Sequence, residues 1–260
     1  MPEVSRSAVV RHPAPPAGRR RAWPLVALLV WVPPPAAVAT AQEPAITVDY
    51  DVALASAYVW RGVTFTDGAV FQPSITASHA SGFSLNVWGN LDVDDVNGLA
   101  GDFQEVDVTL SYGFGGDTVS VEVGLIDYLF PNAVGPETHE VYLSVGFDVA
   151  LQPSVAVYYD FDVIEGAYAT VGIEHGAGLG GGWSWSVALL AGLASEEFAA
   201  FVAGGADGGP FNGNVTFTVS RDLGRGSFGA FVAYSDSLDD DVLPDQAVDL
   251  YGGVSFAWSF

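Results

Sequence analysis

The sequence predicts an all-β protein: a transmembrane antiparallel up-and-down β-barrel of about 12 strands, with 10 or 14 as the neighbouring solutions, behind a cleaved signal peptide. Three observations predict it. Segments of period-two alternation recur along the chain, the connectors between them alternate short and long, and a leader with export features precedes them.

The leader is read as residues 1–41, and the barrel as residues 42–260. Arg6, Arg11 and Arg19 to Arg21 form a positive region, Ala22 to Val32 an apolar stretch of 11 residues, and Pro33 to Pro35 end it. Ala39-Thr40-Ala41 has the small-x-small pattern of a signal-peptidase site. The apolar stretch is too short for a transmembrane helix, which needs about 20 residues. Beyond it the charge balance is extreme: three arginines, no lysine and 30 of the 31 acidic residues, a formal −27 with His neutral. Such a chain repels nucleic acid, whose binding rests on cations neutralising phosphates. The absence of Cys is compatible with an exported protein that uses no disulfide.

Ile46, Val48, Tyr50, Val52 and Leu54 share one strand face, and Thr47, Asp49, Asp51, Ala53 and Ala55 the other. The pattern recurs at Phe71–Ala77, Phe83–Leu91, Val106–Phe114, Val119–Leu125, Val141–Phe147 and Val155–Tyr159. It continues at Ala167–Ile173, Trp183–Leu189, Val215–Val219, Phe228–Tyr234 and Val248–Phe260. No Asp, Glu or Arg falls on the apolar face of these strand cores. Either two sheets turn their apolar faces inward as a soluble sandwich, or one closed sheet turns them outward into lipid.

Connector lengths favour the barrel. Residues 80–82, 115–117, 148–152, 176–182 and 222–226 are short and mostly Gly-rich. Residues 59–70, 92–102, 129–138, 160–165, 193–213 and 237–247 are mostly longer and more polar. Short periplasmic turns alternating with longer outer loops is the asymmetry of outer-membrane barrels. Phe83, Tyr112, Phe114, Phe147, Trp183, Trp185, Phe228 and Trp258 fall on apolar faces next to the short turns, while Tyr58 and Trp60 are expected on the apolar face at the opposite end. The two groups predict aromatic girdles at the two membrane interfaces. The alternating strand that ends at Phe260 resembles the C-terminal signature read by the barrel-insertion machinery, an expected partner together with outer-membrane lipid.

The faces opposite the apolar ones carry Asp49, Asp51, Glu105, Asp107, Glu122, Glu140, Glu174 and Asp249, and Arg61 is the one cation expected among them. These nine residues are the predicted pore lining. A narrow tube lined with one sign of charge concentrates counter-ions, so small cations or hydrophilic solutes are the expected partners. Arg61 is expected near the outer end of the first strand, beside Glu105, Glu140 and Asp249. There a guanidinium can fork to carboxylates and hold a loop at the pore mouth.

Other chemistry is weakly supported, so the protein is expected not to be an enzyme, and no catalytic residue, cofactor or metal site is assigned. The acidic loops Asp92–Asp102 and Asp236–Asp245 could collect Ca²⁺. However, Val93 and Gln104 stand where the echo of a calcium loop at Asp95-Val96-Asn97-Gly98 needs ligands. His79-Ala80-Ser81 has the His-x-Ser spacing of a lipid A deacylase but falls at a periplasmic turn. A phosphate cradle of the P-loop kind would need a lysine.

Ser56-Ala57-Tyr58-Val59-Trp60-Arg61-Gly62-Val63-Thr64, then Phe71-Gln72-Pro73, Gly82-Phe83 and Val87-Trp88, resemble the TorF-like putative porins of Gram-negative bacteria. The resemblance spans about 35 residues, departs at Ser84-Leu85-Asn86, and implies a porin-like role in the bacterial outer membrane without supplying site residues. The expected function is therefore passive, cation-preferring diffusion of small hydrophilic solutes through an outer-membrane channel. The alternative is a non-conducting structural or adhesive barrel acting through its extracellular loops. Whether residues 193–213 fold inward as a plug is left open by the sequence.

Overall fold

The structure, a computed structural model, describes residues 46–133 and 135–260, so the predicted leader and its cleavage site lie outside the described residues. Among the described residues, fourteen strands and one helix follow in order. They are β1 (Ile46–Ala55), β2 (Tyr58–Trp60), β3 (Val63–Thr66), β4 (Val70–His79), β5 (Phe83–Asp92), β6 (Phe103–Gly115), β7 (Val119–Leu129) and β8 (Thr138–Phe147). Then come β9 (Ser154–Asp160), β10 (Ala167–Gly180), β11 (Trp183–Ala194), α1 (Glu196–Ala203), β12 (Gly209–Asp222), β13 (Gly226–Ser237) and β14 (Leu250–Ser259).

Twelve of the strands, β1 and β4 to β14, form one closed antiparallel barrel in which each pairs with its sequence neighbours. Closure is made by β1 against β14, with Val52 opposite Phe256 and Leu54 opposite Val254. Closing the sheet removes the edges that a lipid-exposed strand could not satisfy. Strands β2 and β3 pair only with each other.

Alternation decides which face meets lipid. Leu54, Leu143, Val157 and Phe217 are 49%, 46%, 46% and 42% exposed, whereas Glu105, Asp107 and Glu122 on the other face are 1%, 0% and 6% exposed. A soluble sheet would reverse that arrangement, so the outer surface is built to contact lipid. Among the described residues no helix is long and apolar enough to cross a membrane. The end with short turns has aromatic residues on the outer face. Phe83 packs on Tyr112, Tyr112 stacks on Phe114, and Phe256, Trp258 and Phe260 follow one another.

The aromatic girdle predicted at the other end needs correction. Tyr58 and Trp60 do not face lipid: they belong to β2 inside the barrel, where they are 2% and 1% exposed. Strand β1 ends at Ala55 and the chain turns inward there, so parity counted past Ala55 does not apply. Tyr159 and Tyr234 are the large exposed aromatics towards the outer ends of β9 and β13. Several strands also run longer than their alternation. Strand β10 passes through Gly176 and Gly178 to a turn at Gly181 and Gly182, and β12 begins at Gly209. These Gly-rich ends have too few side chains to show a period, yet their backbone groups complete the ladder.

Candidate functional site at the outer mouth of the barrel

The first outer connector folds into the lumen as the β2–β3 hairpin. Tyr58, Val59, Trp60 and Val63 are all buried, so this stretch has no solvent face and does not alternate. Trp60 pairs with Val63, leaving Arg61 and Gly62 as a two-residue turn with φ of 48° and 84°. Positive φ at both positions is the requirement of a type I′ hairpin turn. Gly62 meets it without strain, and a Cβ there would lie 2.6 Å from the Asn212 Cβ and 2.9 Å from the Leu243 Cδ2. Arg61 adopts the same region at a cost of about 1–2 kcal/mol.

What offsets that cost is the seat of the guanidinium. Arg61 Nη1 and Nη2 donate to the two carboxylate oxygens of Glu140 at 2.8 and 2.7 Å, with both side chains 2% exposed. The Tyr128 hydroxyl donates to the same carboxylate at 2.8 Å. Aromatic faces surround the cation: its central carbon is 4.5 Å from the Trp60 ring, 4.3 Å from Tyr158, 4.5 Å from Tyr168 and 5.3 Å from Phe198. Two charge-assisted bonds contribute about 1.5–3 kcal/mol each, and each cation–π contact about 0.5–2. A planar, weakly hydrated guanidinium suits this stacked and forked site; an ammonium does not.

Polar groups fasten the rest of the hairpin to the wall. The Tyr58 hydroxyl donates to Glu105 Oε2 at 2.8 Å. The Thr66 hydroxyl lies 3.0 Å from Asp92 Oδ1, and Asn97 Nδ2 bonds both of these residues at 3.0 Å. Helix α1 fills the space beside the hairpin. Its N-cap Ser195 accepts from Phe198 N, and Gly204 ends it in the left-handed region. Phe198 is fully buried, stacked on Tyr168 at 5.4 Å and tilted against Trp60 at 5.8 Å between ring centroids. The Glu197 carboxyl is held below its ordinary value, chiefly by a hydrogen bond from its own backbone N–H at the helix start and then by the Ser195 hydroxyl. Leu243, fully buried, closes against Gly62 from the connector between β13 and β14.

The predicted pore-lining residues divide into two sets. Glu105, Asp107, Glu122, Glu140, Glu174 and Arg61 are buried within the barrel, and Asp49 and Asp51 are half-buried on β1. Tyr142 donates to Glu122 at 2.6 Å, and Asp49 accepts from Ser259 Oγ at 2.6 Å. Asp249 departs from expectation: it precedes β14, is exposed, and its backbone carbonyl accepts from Ser235 N. Of the three carboxylates expected beside Arg61, Glu140 forks it, Glu105 receives Tyr58, and Asp249 stays at the rim. Among the described residues no group of three or more His, Asp or Glu is placed to hold a metal. The Asp92 carboxylate accepts from Thr66, Asn90 and Asn97, and Asp94 from the Ala69 N–H, so both acids brace their loop. His79 and Ser81 meet each other at 2.7 Å on the turn between β4 and β5.

Residues 38–199 match the bacterial protein family of unknown function Gcw_chp, and this is more than half of the chain. The chain belongs to the Gcw_chp family. No curated protein matches it. Among solved structures, this Gcw_chp barrel is similar to the KdgM porin in complex with disordered oligogalacturonate, with a TM-score of 0.50 at 14% identity over 82% of this chain and 99% of that one. An outer membrane channel from Pseudomonas putida F1 scores 0.46 at 9% identity over 83% and 94% of the two chains. The NanC porin scores 0.47 at 8% identity, over 81% and 98%. These likenesses concern the barrel fold.

Sequence reasoning missed the aromatic cage. Tyr128, Tyr158 and Tyr168 were readable as inward-facing, since Val157 and Tyr159 flank Tyr158 on the lipid side. What was not readable is that the outer halves of β7, β9 and β10 bring those rings around one loop cation.

Proposed function

We propose that this Gcw_chp barrel is a channel of the bacterial outer membrane for passive, cation-preferring diffusion of small hydrophilic solutes, narrowed at its outer mouth by the hairpin and α1. The observation that carries the reading is the inner charge balance. Asp49, Asp51, Glu105, Asp107, Glu122 and Glu174 face inward, while Arg61, the inward-facing arginine of the described residues, is matched by Glu140. Arg221 lies over the Trp183 ring and Arg225 sits exposed in a turn. A carboxylate-lined tube favours cations and disfavours polyanions such as oligogalacturonate. The resemblance to TorF-like porins supports a porin-like role. Insertion through the strand that ends at Phe260 belongs to the same reading.

The test is a planar bilayer carrying folded residues 42–260 under a KCl gradient. Reversal potentials should show K⁺ preferred over Cl⁻, more strongly in dilute salt, because screening extends over about 8 Å at physiological ionic strength and about 3 Å at 1 M. Changing Glu105, Asp107 and Glu122 together to amides should weaken the preference. Preference for Cl⁻ would sink the cation-preferring reading. The filled outer mouth favours one rival, a non-conducting structural barrel, and correctly folded protein that never conducts would establish it.

A further inference from the structure

The Arg61 cage has an arrangement beyond what a plug requires: the host and the guest sit on different elements. Glu140 is on β8, Tyr128 on β7, Tyr158 on β9 and Tyr168 on β10, all hydrogen-bonded neighbours in the barrel wall. The guest, Arg61, is at the tip of a hairpin that pairs with no barrel strand. Withdrawal of the hairpin would leave in the wall a buried carboxylate with a tyrosine donor on one oxygen, flanked by two tyrosine faces 4.3 and 4.5 Å from the cation's position.

We propose that the outer mouth contains a binding site for small guanidinium compounds, formed by Glu140, Tyr158 and Tyr168, which the protein's own Arg61 occupies as a tethered ligand. Resting on the channel reading, the inference adds a solute class and a gating device: an external guanidinium compound competes with Arg61 for Glu140, and its binding releases the hairpin. The chemistry selects this class. Two parallel N–H donors match the two oxygens of Glu140, now reached at 2.8 and 2.7 Å, and a flat delocalised cation stacks between rings. An alkali ion provides neither donors nor a face, and methylammonium lacks the fork. The tether also sets the affinity order: a guest held at high effective concentration must be outcompeted in the wild type, but not when Arg61 is shortened.

The experiment is calorimetric titration of the micelle-folded barrel with ethylguanidinium chloride, a measurement that needs no conductance and so tests the site separately from the channel. Arg61→Ala should bind ethylguanidinium at least ten-fold more tightly than the wild type, and methylammonium or K⁺ much more weakly than that. Arg61→Ala combined with Glu140→Gln should lose the gain. A second measurement covers failure of these variants to fold. The chain has no Cys, so Val63→Cys, on the buried side of the hairpin at 6% exposure, gives a single label site with Arg61 intact. Maleimide labelling of that thiol should accelerate with ethylguanidinium and not with equal KCl. The proposal is overturned if Arg61→Ala binds ethylguanidinium no better than the wild type or the double variant, or if labelling of the Val63→Cys variant responds equally to both salts.

Discussion

Arg61 and Gly62 concentrate much of what is particular to this molecule into two positions. Gly62 can be replaced only by moving both Asn212 and Leu243, which a new Cβ would approach to 2.6 and 2.9 Å, and its φ of 84° strains any other residue. Gly62→Val should therefore unseat the hairpin while leaving the strand ladder intact. Trypsin reads this directly: residues 42–260 have three arginines and no lysine, and Arg61 is only 3% exposed. The wild type should resist cleavage after Arg61, and Gly62→Val should be cut there; persistence of the intact bond would show that the seat tolerates the extra carbon atoms. Glu140→Ala should have the same outcome for an electrostatic reason. Removing one partner of a buried ion pair costs about 3–5 kcal/mol while the other stays buried. A loop residue escapes that cost by leaving for solvent, so the hairpin yields before the barrel does.

Each barrel strand has two faces with opposite requirements, and β7 shows both at adjacent positions. Val123 is 40% exposed on the lipid side, while Glu122 is 6% exposed and accepts from the Tyr142 hydroxyl at 2.6 Å. Val123→Arg near mid-depth should cost about 2–4 kcal/mol in refolding titrations, and Glu122→Gln, which keeps an acceptor for Tyr142, much less. Equal costs would mean that the faces have been assigned the wrong way round. The hairpin is dispensable to the wall for a related reason. Ala55 and Val70 are already paired at the outer ends of β1 and β4. Joining Ser56 directly to Gly68 leaves Ser56-Gly68-Ala69 between them, a loop of ordinary hairpin length. Deletion of residues 57–67 should still give a barrel with heat-dependent gel mobility, and failure to fold would assign the hairpin a structural part in closing the wall.

For the molecule as a whole, the barrel encloses an acidic interior, and outer connectors fill its mouth. Hairpin, helix α1 and Leu243 meet at one end, while among the described residues the connectors at the opposite end are all short. On the proposed channel reading, the variant lacking residues 57–67 should conduct several-fold more than the wild type in a planar bilayer and show the same preference for K⁺ that is proposed for the wild type, since the inner carboxylates remain. Unchanged conductance would place the narrowest point below the hairpin, and loss of selectivity would place the filter within it.

The architecture was legible because period-two alternation is a local property. The choice between lipid and solvent for the apolar face followed from connector asymmetry, and residues such as Val108, Val123, Asp107 and Glu122 fall on the faces that parity assigned. The same rule failed at Tyr58 and Trp60, since alternation carries no information once the chain leaves the sheet. Glycine-rich ends such as Gly176–Gly180 were shortened because hydrogen in place of a side chain leaves no pattern to read. That Arg61 seeks carboxylates followed from charge alone. Which carboxylate it finds, and that Trp60, Tyr158, Tyr168 and Phe198 enclose it, depends on strand order and register across five separate elements. Burial of a guanidinium is a collective outcome of those elements, and only the folded barrel brings them within reach of one loop.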